Sequence, residues 1–141
     1  MHIETDIKLD FSDVLLKPKR SSLQSRMDVV LKRKFRFKYA NNKWEGIPII
    51  ASNLDSTGTL EMNNTLSKMD MLTCLHKFYK EEDIDDIINN EFVIPSIGIK
   101  YSDKYLAKVN SKFICVDVAN GYCEYFVEFI KEIRSKYPDK I

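Results

Sequence analysis

Four short apolar segments, which recur about every 20 to 25 residues, constrain the fold of this chain more than any other feature. They occupy residues 47–51, 71–75, 92–99 and 113–118. Such intervals are too long for hairpins and suit parallel strands joined by crossover helices. Because apolar residues follow one another without alternation, we expect these strands to be buried on both faces. The sequence therefore predicts an α/β fold with a parallel sheet.

The segments between these strands carry helix signals. Residues 57–68 are predicted to be helical, acidic residues 81–83 suit the first turn of a second helix, and Ser102 suits an N-cap. The apolar positions predicted to face inward are Ile84, Ile87 and Ile88; Tyr105, Leu106 and Val109; and Tyr125, Phe126, Phe129, Ile130 and Ile133. Pro138 marks the expected end of the last helix.

The first part of the chain has a different pattern of apolar and polar residues. In residues 31–39 apolar and basic side chains alternate, which predicts a half-exposed strand. Its basic face is interpreted first as protection of an edge strand and second as a phosphate-binding row. We divide the chain into an extension with a β-hairpin region, 1–43, and about four βα units, 44–141. Those units are predicted to be the N-terminal portion of a (β/α)₈ barrel, a fold that typically needs about 250 residues.

Composition excludes several classes of protein. Lys and Arg total 22 against 21 Asp and Glu, so net charge gives no reason to expect nucleic acid or a membrane as partner. Since neither a signal peptide nor a long apolar run is evident, we expect a cytoplasmic protein. Cys74 and Cys115 lie in apolar runs and are interpreted as buried small hydrophobes. Cys123 follows a loop and is expected to be more exposed, with no base beside it that would make it a nucleophile.

Polar residues follow the predicted strands, at the edge where parallel α/β folds place their active sites. Lys77 follows the second strand and Asp117 lies at the end of the fourth. Across a barrel mouth these two would face each other and hold a polar ligand. The alternative is that any loop between a strand and a helix is polar.

Four motifs resemble the GMP reductase family, in order and at nearly the family's spacing. They are residues 9–23 (LDFSDVLLKPKRSSL), 46–55 (GIPIIASNLD), 76–79 (HKFY) and 113–122 (FICVDVANGY). The resemblance covers essentially the whole chain and identifies it as similar to the N-terminal part of that family.

The resemblance implies reduction of GMP to IMP by NADPH with release of ammonia, in a cytoplasmic homo-oligomer expected to be a tetramer. In the family a cysteine attacks C2 of the purine, and a bound potassium ion supports that site. The resemblance assigns cofactor contacts to Ser25 and Arg26, which reach the NADPH of a neighbouring subunit, to Lys77, and to Asp117, Val118 and Ala119. Arg and Lys suit phosphate oxygens, and a carboxylate accepts hydrogen bonds from ribose or carboxamide.

The chain also departs from the family. The segment between Asn90 and Phe113 is about ten residues shorter than the resemblance leads us to expect, Phe78 replaces a frequent histidine, and Cys123 replaces a usual serine. The catalytic cysteine loop, the potassium ligands and the GMP phosphate loops belong to later strands and have no counterpart here. We therefore expect this chain alone to be inactive. One alternative is a non-catalytic half-barrel that binds a partner, either a full-length reductase subunit or a complementing C-terminal half. The other is a fragment of an IMP dehydrogenase, whose usual insertion after the second βα unit is missing.

Overall fold

The structure is a computed structural model that describes residues 3–86 and 90–141, with the side chains of 84–86 left aside. The chain forms two units, Met1–Val30 and Leu31–Ile141. The first contains two short 3₁₀ turns, Phe11–Asp13 and Arg26–Asp28, each closed by a reciprocal capping box. Apolar side chains of this unit, such as Phe11 and Leu16, are exposed.

The second unit begins with a β-hairpin. Strand β1 (Arg33–Arg36) pairs in antiparallel fashion with β2 (Lys43–Gly46), so β2 crosses the boundary predicted at residue 43. The predicted alternation is confirmed at Phe35 and Phe37, which are half-buried against an apolar cluster, whereas Leu31 and Tyr39 are exposed. The division of the chain at residue 43 stays a prediction.

The basic face of the hairpin is partly neutralised within the unit. Lys32 Nζ lies 2.8 Å from Asp70 Oδ2, and Lys34 Nζ lies 3.6 Å from Glu45 Oε2. These pairings favour the interpretation of the basic row as a protected edge over that of a phosphate-binding row.

Parallel pairing of the four apolar segments is confirmed. Strands β3 (Ile50–Ala51), β4 (Leu72–Cys74) and β5 (Val93–Ile94) form one sheet in chain order, and β6 (Ser96–Ile97) pairs with β7 (Cys115–Val116). Pro95 separates β5 from β6 because proline has no N–H to donate, although its carbonyl accepts a bond from Cys115 N at 2.9 Å. Within each of these two sheets, every strand thus pairs with its successor in the sequence.

Helices follow the strands where the sequence predicts them. They are α1 (Leu60–Leu66), extended by a 3₁₀ turn at Ser67–Met69, then α2 (Asp103–Lys108) and α3 (Glu124–Lys136). Glu81–Asp86 forms a 3₁₀ turn, while Ile87 and Ile88 of the predicted stripe lie outside the described residues, as does the side chain of Ile84.

Two helix details differ from the prediction. Ser102 precedes α2, but within the described residues its hydroxyl makes no capping bond. On α3, Phe129 and Ile133 are buried and Phe126 is half-buried, whereas Tyr125 and Ile130 are exposed. The predicted apolar stripe on α3 is therefore wider than the part of the helix surface that neighbouring elements cover. On α2, Tyr105, Leu106 and Val109 are buried as predicted.

Both faces of the strands are covered. One apolar cluster packs strands against helices and contains Leu75, Val93, Ile97, Tyr105, Leu106, Val109, Phe129 and Ile133. The other packs strands against the hairpin and contains Trp44, Leu72, Cys74, Ile94 and Phe113. Neighbours such as Val93 and Ile94 belong to opposite clusters because successive side chains of a strand point to opposite faces. The predicted burial on two faces is confirmed for β4, β5 and β6, whereas Ile50 in β3 is exposed and β7 is half-buried.

Trp44 connects the hairpin to this second cluster. Its ring stacks on Phe35 with centroids 5.6 Å apart and meets Phe113 edge to face at 6.1 Å. We expect Trp44→Ala to lower the free energy of unfolding by about 3–5 kcal/mol, because it opens a cavity between strands and hairpin. Tyr39→Ala, at a site 70% exposed, should change it by less than about 0.5 kcal/mol. Urea denaturation followed by circular dichroism measures both, and equal effects would contradict this packing.

An ion pair joins α2 to α3. Lys136 Nζ lies 2.9 and 2.7 Å from the two carboxylate oxygens of Asp103, and it also lies over the Tyr101 ring at 5.9 Å. The hydrogen bond from Lys136 lowers the pKa of Asp103, and the bond to Asp103 raises the pKa of Lys136 to about 12.

These shifts predict how stability depends on pH. Because the pKa of Asp103 is lowered, its carboxylate stabilises the fold at pH values above its ordinary pKa of about 4. This stabilisation is lost as the pH falls through the pKa of the folded state. Because the pKa of Lys136 is raised, its ammonium stabilises the fold at pH values below its ordinary pKa of about 10.4, and this stabilisation is lost as the pH rises towards 12. The difference in melting midpoint between wild type and Asp103→Asn should therefore be constant from about pH 5 to 10 and shrink below about pH 4. Glu128→Gln, which breaks a pair within α3, is the control for loss of one surface carboxylate.

Candidate functional site

The loops after β4 and β7 bring together the two charged residues that the sequence singled out. Lys77 Nζ lies 3.2 Å from Asp117 Oδ2, and their side chains are 43% and 35% exposed. The two residues lie close together, as expected, whereas their position across a barrel mouth stays a prediction. A cation and a carboxylate that are open to solvent at the carboxyl ends of parallel strands can bind a polar ligand that carries both donors and acceptors.

The backbone around Lys77 is attached to the loop after β3. His76 N donates to Gly58 O at 2.9 Å, and Tyr79 Oη accepts from Leu60 N at 3.0 Å. The His76 and Tyr79 rings stack with centroids 4.3 Å apart and planes 10° from parallel. Phe78 N donates to His76 Nδ1 at 3.3 Å and closes the turn.

Gly58 permits this close approach of the two loops. A Cβ atom at this position would lie 2.3 Å from Cys74 O and 2.9 Å from Ser52 O, closer than side-chain carbons come to backbone oxygens. Residue 58 must therefore be glycine for steric reasons, because only a residue without Cβ lets the β3 loop meet the end of β4.

The loop after β7 holds Asp117 by backbone bonding. Asp117 N donates to Ile97 O at 2.8 Å, which continues the ladder between β6 and β7. Val118 is half-buried and Ala119 is exposed, and Asn120 Oδ1 accepts from Tyr122 N at 3.0 Å at the turn into α3. The assignment of Val118 and Ala119 as cofactor contacts stays a prediction.

The cysteines partly follow the sequence-based interpretation. Cys74 is buried as expected, and its Sγ lies 3.3 Å from Ser96 Oγ, a contact that no sequence spacing indicated. Hydrogen bonding to Cys115 and burial raise the pKa of Cys74, while the same hydrogen bond lowers the pKa of Cys115. Cys115 and Cys123 are only half-buried. The prediction of full burial for Cys115 was wrong, because β7 is covered less completely than β4.

Ser25 and Arg26 belong to the N-terminal unit. Ser25 Oγ accepts from Met27 N at 3.1 Å and Ser25 N donates to Asp28 Oδ2 at 2.9 Å, so this serine caps its own turn. Arg26 is exposed. Their expected contact with the cofactor of a neighbouring subunit stays a prediction.

The part of the chain that the structure describes shows neither a candidate metal cluster nor a membrane-spanning helix. No group of three or more His, Cys, Asp or Glu side chains is arranged to hold a metal ion. No helix in residues 3–86 or 90–141 has the length and apolar character required to cross a membrane.

Curated proteins that are similar in sequence to this chain include GMP reductases. The chain is 50% identical to the GMP reductase of Buchnera aphidicola subsp. Schizaphis graminum over its whole length, and 45% identical to that of Escherichia coli O81 over 99% of it. The chain resembles GMP reductases from end to end. It spans 44% of the length of these relatives. The first alignment runs to 153 positions for 141 residues, so this chain is shorter within the aligned region.

A solved structure supports the fold. An inosine 5' monophosphate dehydrogenase from Legionella pneumophila superposes with a TM-score of 0.59 at 24% identity, over 89% of this chain and 40% of that one. The two share an α/β fold. A scan against models of known protein families finds no match.

Gly58 offers a test of the site's framework. Gly58→Ala should lower the free energy of unfolding by about 1–3 kcal/mol, because the added methyl group forces the loops apart. Gly98→Ala is the matched control, since a Cβ at that strand end would meet only Asp117 O at 3.9 Å. We expect the control to be neutral or slightly stabilising. Denaturant titration of both variants measures their free energies of unfolding. A Gly58→Ala variant as stable as the wild type would show that the loops are not in close contact.

Proposed function

We propose that this chain forms the cofactor-side part of an NADPH-dependent GMP reductase, which converts GMP to IMP and releases ammonia. The Lys77–Asp117 pair at the carboxyl edge of the parallel strands is the observation that carries the proposal. The similarity to curated GMP reductases along the whole chain supports it, and the chain corresponds to their N-terminal part.

The residues at this edge fit the cofactor chemically. The Lys77 ammonium is suited to phosphate or amide oxygens, and the Asp117 carboxylate accepts hydrogen bonds from hydroxyl or amide groups. When bound, NADPH supplies the hydride. In this proposal Lys77 and Asp117 orient the cofactor, with Val118 and Ala119 lining its path, while Ser25 and Arg26 reach the cofactor of a neighbouring subunit.

The remaining parts of the proposal concern the architecture and assembly. The parallel strands in chain order are proposed to be the first four βα units of a (β/α)₈ barrel. The cysteine nucleophile, the potassium ligands and the purine phosphate loops would come from sequence that the 44% coverage of the relatives leaves outside this chain. A homo-oligomer, expected to be a tetramer, and a cytoplasmic location complete it.

A second candidate function is a non-catalytic module that binds a complementing half-barrel. The observation in its favour is apolar exposure on the hairpin side of the strands. Ile50 is 54% exposed and lines a cavity of about 170 Å³ together with Phe35, Trp44 and Leu72, among others. Apolar surface of this kind favours association.

Cofactor binding by the purified chain tests the first proposal. NADPH fluorescence should show saturable binding, and Lys77→Met should weaken it by about tenfold to a hundredfold, as expected for loss of a hydrogen bond to a charged group. Lys131→Met is the matched control, because Lys131 pairs with Glu128 on α3, away from the strand ends. Equal affinities for the two variants would contradict the assignment of Lys77.

A turnover assay completes that experiment. With GMP and NADPH together, NADPH absorbance should stay constant, because in this proposal the cysteine that attacks C2 of the purine lies outside this chain. Mixing the chain with the remaining sequence of a relative should restore turnover if the cofactor-side proposal holds. Complex formation without turnover would favour the module that only binds a partner.

A further inference from the structure

The turn that carries Lys77 is fixed at both of its ends. His76 is attached to Gly58 through its backbone N–H, and Tyr79 is attached to Leu60 through its hydroxyl. The two rings stack on each other at 4.3 Å. Lys77 lies between these anchors, and its side chain is directed to Asp117.

We propose that Tyr79, with the His76 ring stacked on it, is a positioning residue that holds the Lys77 ammonium against Asp117. The inference deepens the proposed function and rests on it for the identity of the ligand. The geometry of the ion pair itself can be tested without any ligand.

The ion pair needs an external constraint. Lysine has a flexible four-carbon stem, and fixing it in one geometry costs conformational entropy. Lys77 and Asp117 are both more than a third exposed, and ion pairs in such surroundings contribute little by themselves. Attachment of the backbone on either side of Lys77 supplies the order that the pair alone does not.

The Tyr79 hydroxyl has a specific partner. Leu60 is the first residue of α1, and the first N–H groups of a helix have no partner within the helix. Thr59 Oγ1 accepts from Met62 N at 3.1 Å, and Tyr79 accepts from Leu60 N. Tyr79→Phe keeps the ring and its stack but leaves Leu60 N without this acceptor, so the turn loses one anchor.

Tyr105 provides a matched control for removal of a tyrosine hydroxyl. Its side chain is buried on α2, and within the described part of the chain its hydroxyl has no hydrogen-bond partner. Tyr105→Phe therefore removes the same atom without releasing a backbone group.

Competitive acetylation of lysines measures the position of Lys77 directly. At limiting reagent, mass spectrometry gives the labelling of Lys77 relative to Lys131 in the same molecule. An ammonium held against a carboxylate is shielded from the reagent, so Asp117→Asn should raise the ratio. Tyr79→Phe should also raise it, by about twofold or more, the scale of one net hydrogen bond. Tyr105→Phe should leave it unchanged.

A double-mutant cycle separates positioning from general loosening. If Tyr79 acts through the ion pair, Tyr79→Phe adds nothing to the labelling of Lys77 once Asp117→Asn is present. A similar increase in both backgrounds, or a rise at Lys131 as well, would show a purely structural role and overturn the proposal. Should Tyr79→Phe fail to fold, His76→Leu removes the stack while keeping the hydroxyl, and it must give the same non-additive result.

NADPH affinity gives the second readout. Tyr79→Phe should weaken binding about threefold to tenfold in the wild-type background and not at all in Lys77→Met. Equal weakening in both backgrounds would contradict positioning through Lys77. If the wild-type chain binds no NADPH, the proposed function fails, and the acetylation cycle still decides whether Tyr79 positions Lys77.

Discussion

Burial of the parallel strands on both faces is the constraint on which the rest of this structure depends. Helices α2 and α3 cover one face, and the hairpin covers the other through Trp44 and its aromatic neighbours. Each strand is only two to three residues long, so its few backbone hydrogen bonds cannot hold the sheet without this packing. The hairpin is therefore part of the core of the second unit.

The same packing determines where chemistry can occur. Strands that are parallel and adjacent in chain order present all their carboxyl ends at one edge, and the loops at that edge carry Lys77 and Asp117. The glycine at position 58 lets the loop after β3 approach the end of β4, and the attachment of His76 and Tyr79 follows from that contact. Fold and candidate site are thus connected through one point of close approach.

Residue patterns predicted the strands, the order of helices and the pairing of Lys77 with Asp117, because each depends on local periodicity or on the geometry of parallel sheets. They failed at Tyr125, Ile130 and Cys115, whose exposure depends on how far neighbouring elements extend. They also gave no indication of the contact between Cys74 and Ser96 or of the bond between Tyr79 and Leu60, since these join residues that are 22 and 19 positions apart.

The sequence by itself determined the class of fold, the resemblance to GMP reductases and the identity of the charged residues at the strand ends. These follow from periodicity and motifs, which are properties of the chain as written. Only the tertiary structure decided that Tyr79 and His76 hold the turn of Lys77, that residue 58 has no room for a side chain, and that the hairpin covers the second face of the strands. The physical reason is that steric fit and hydrogen-bond partners depend on distances between segments, which no spacing within the sequence specifies.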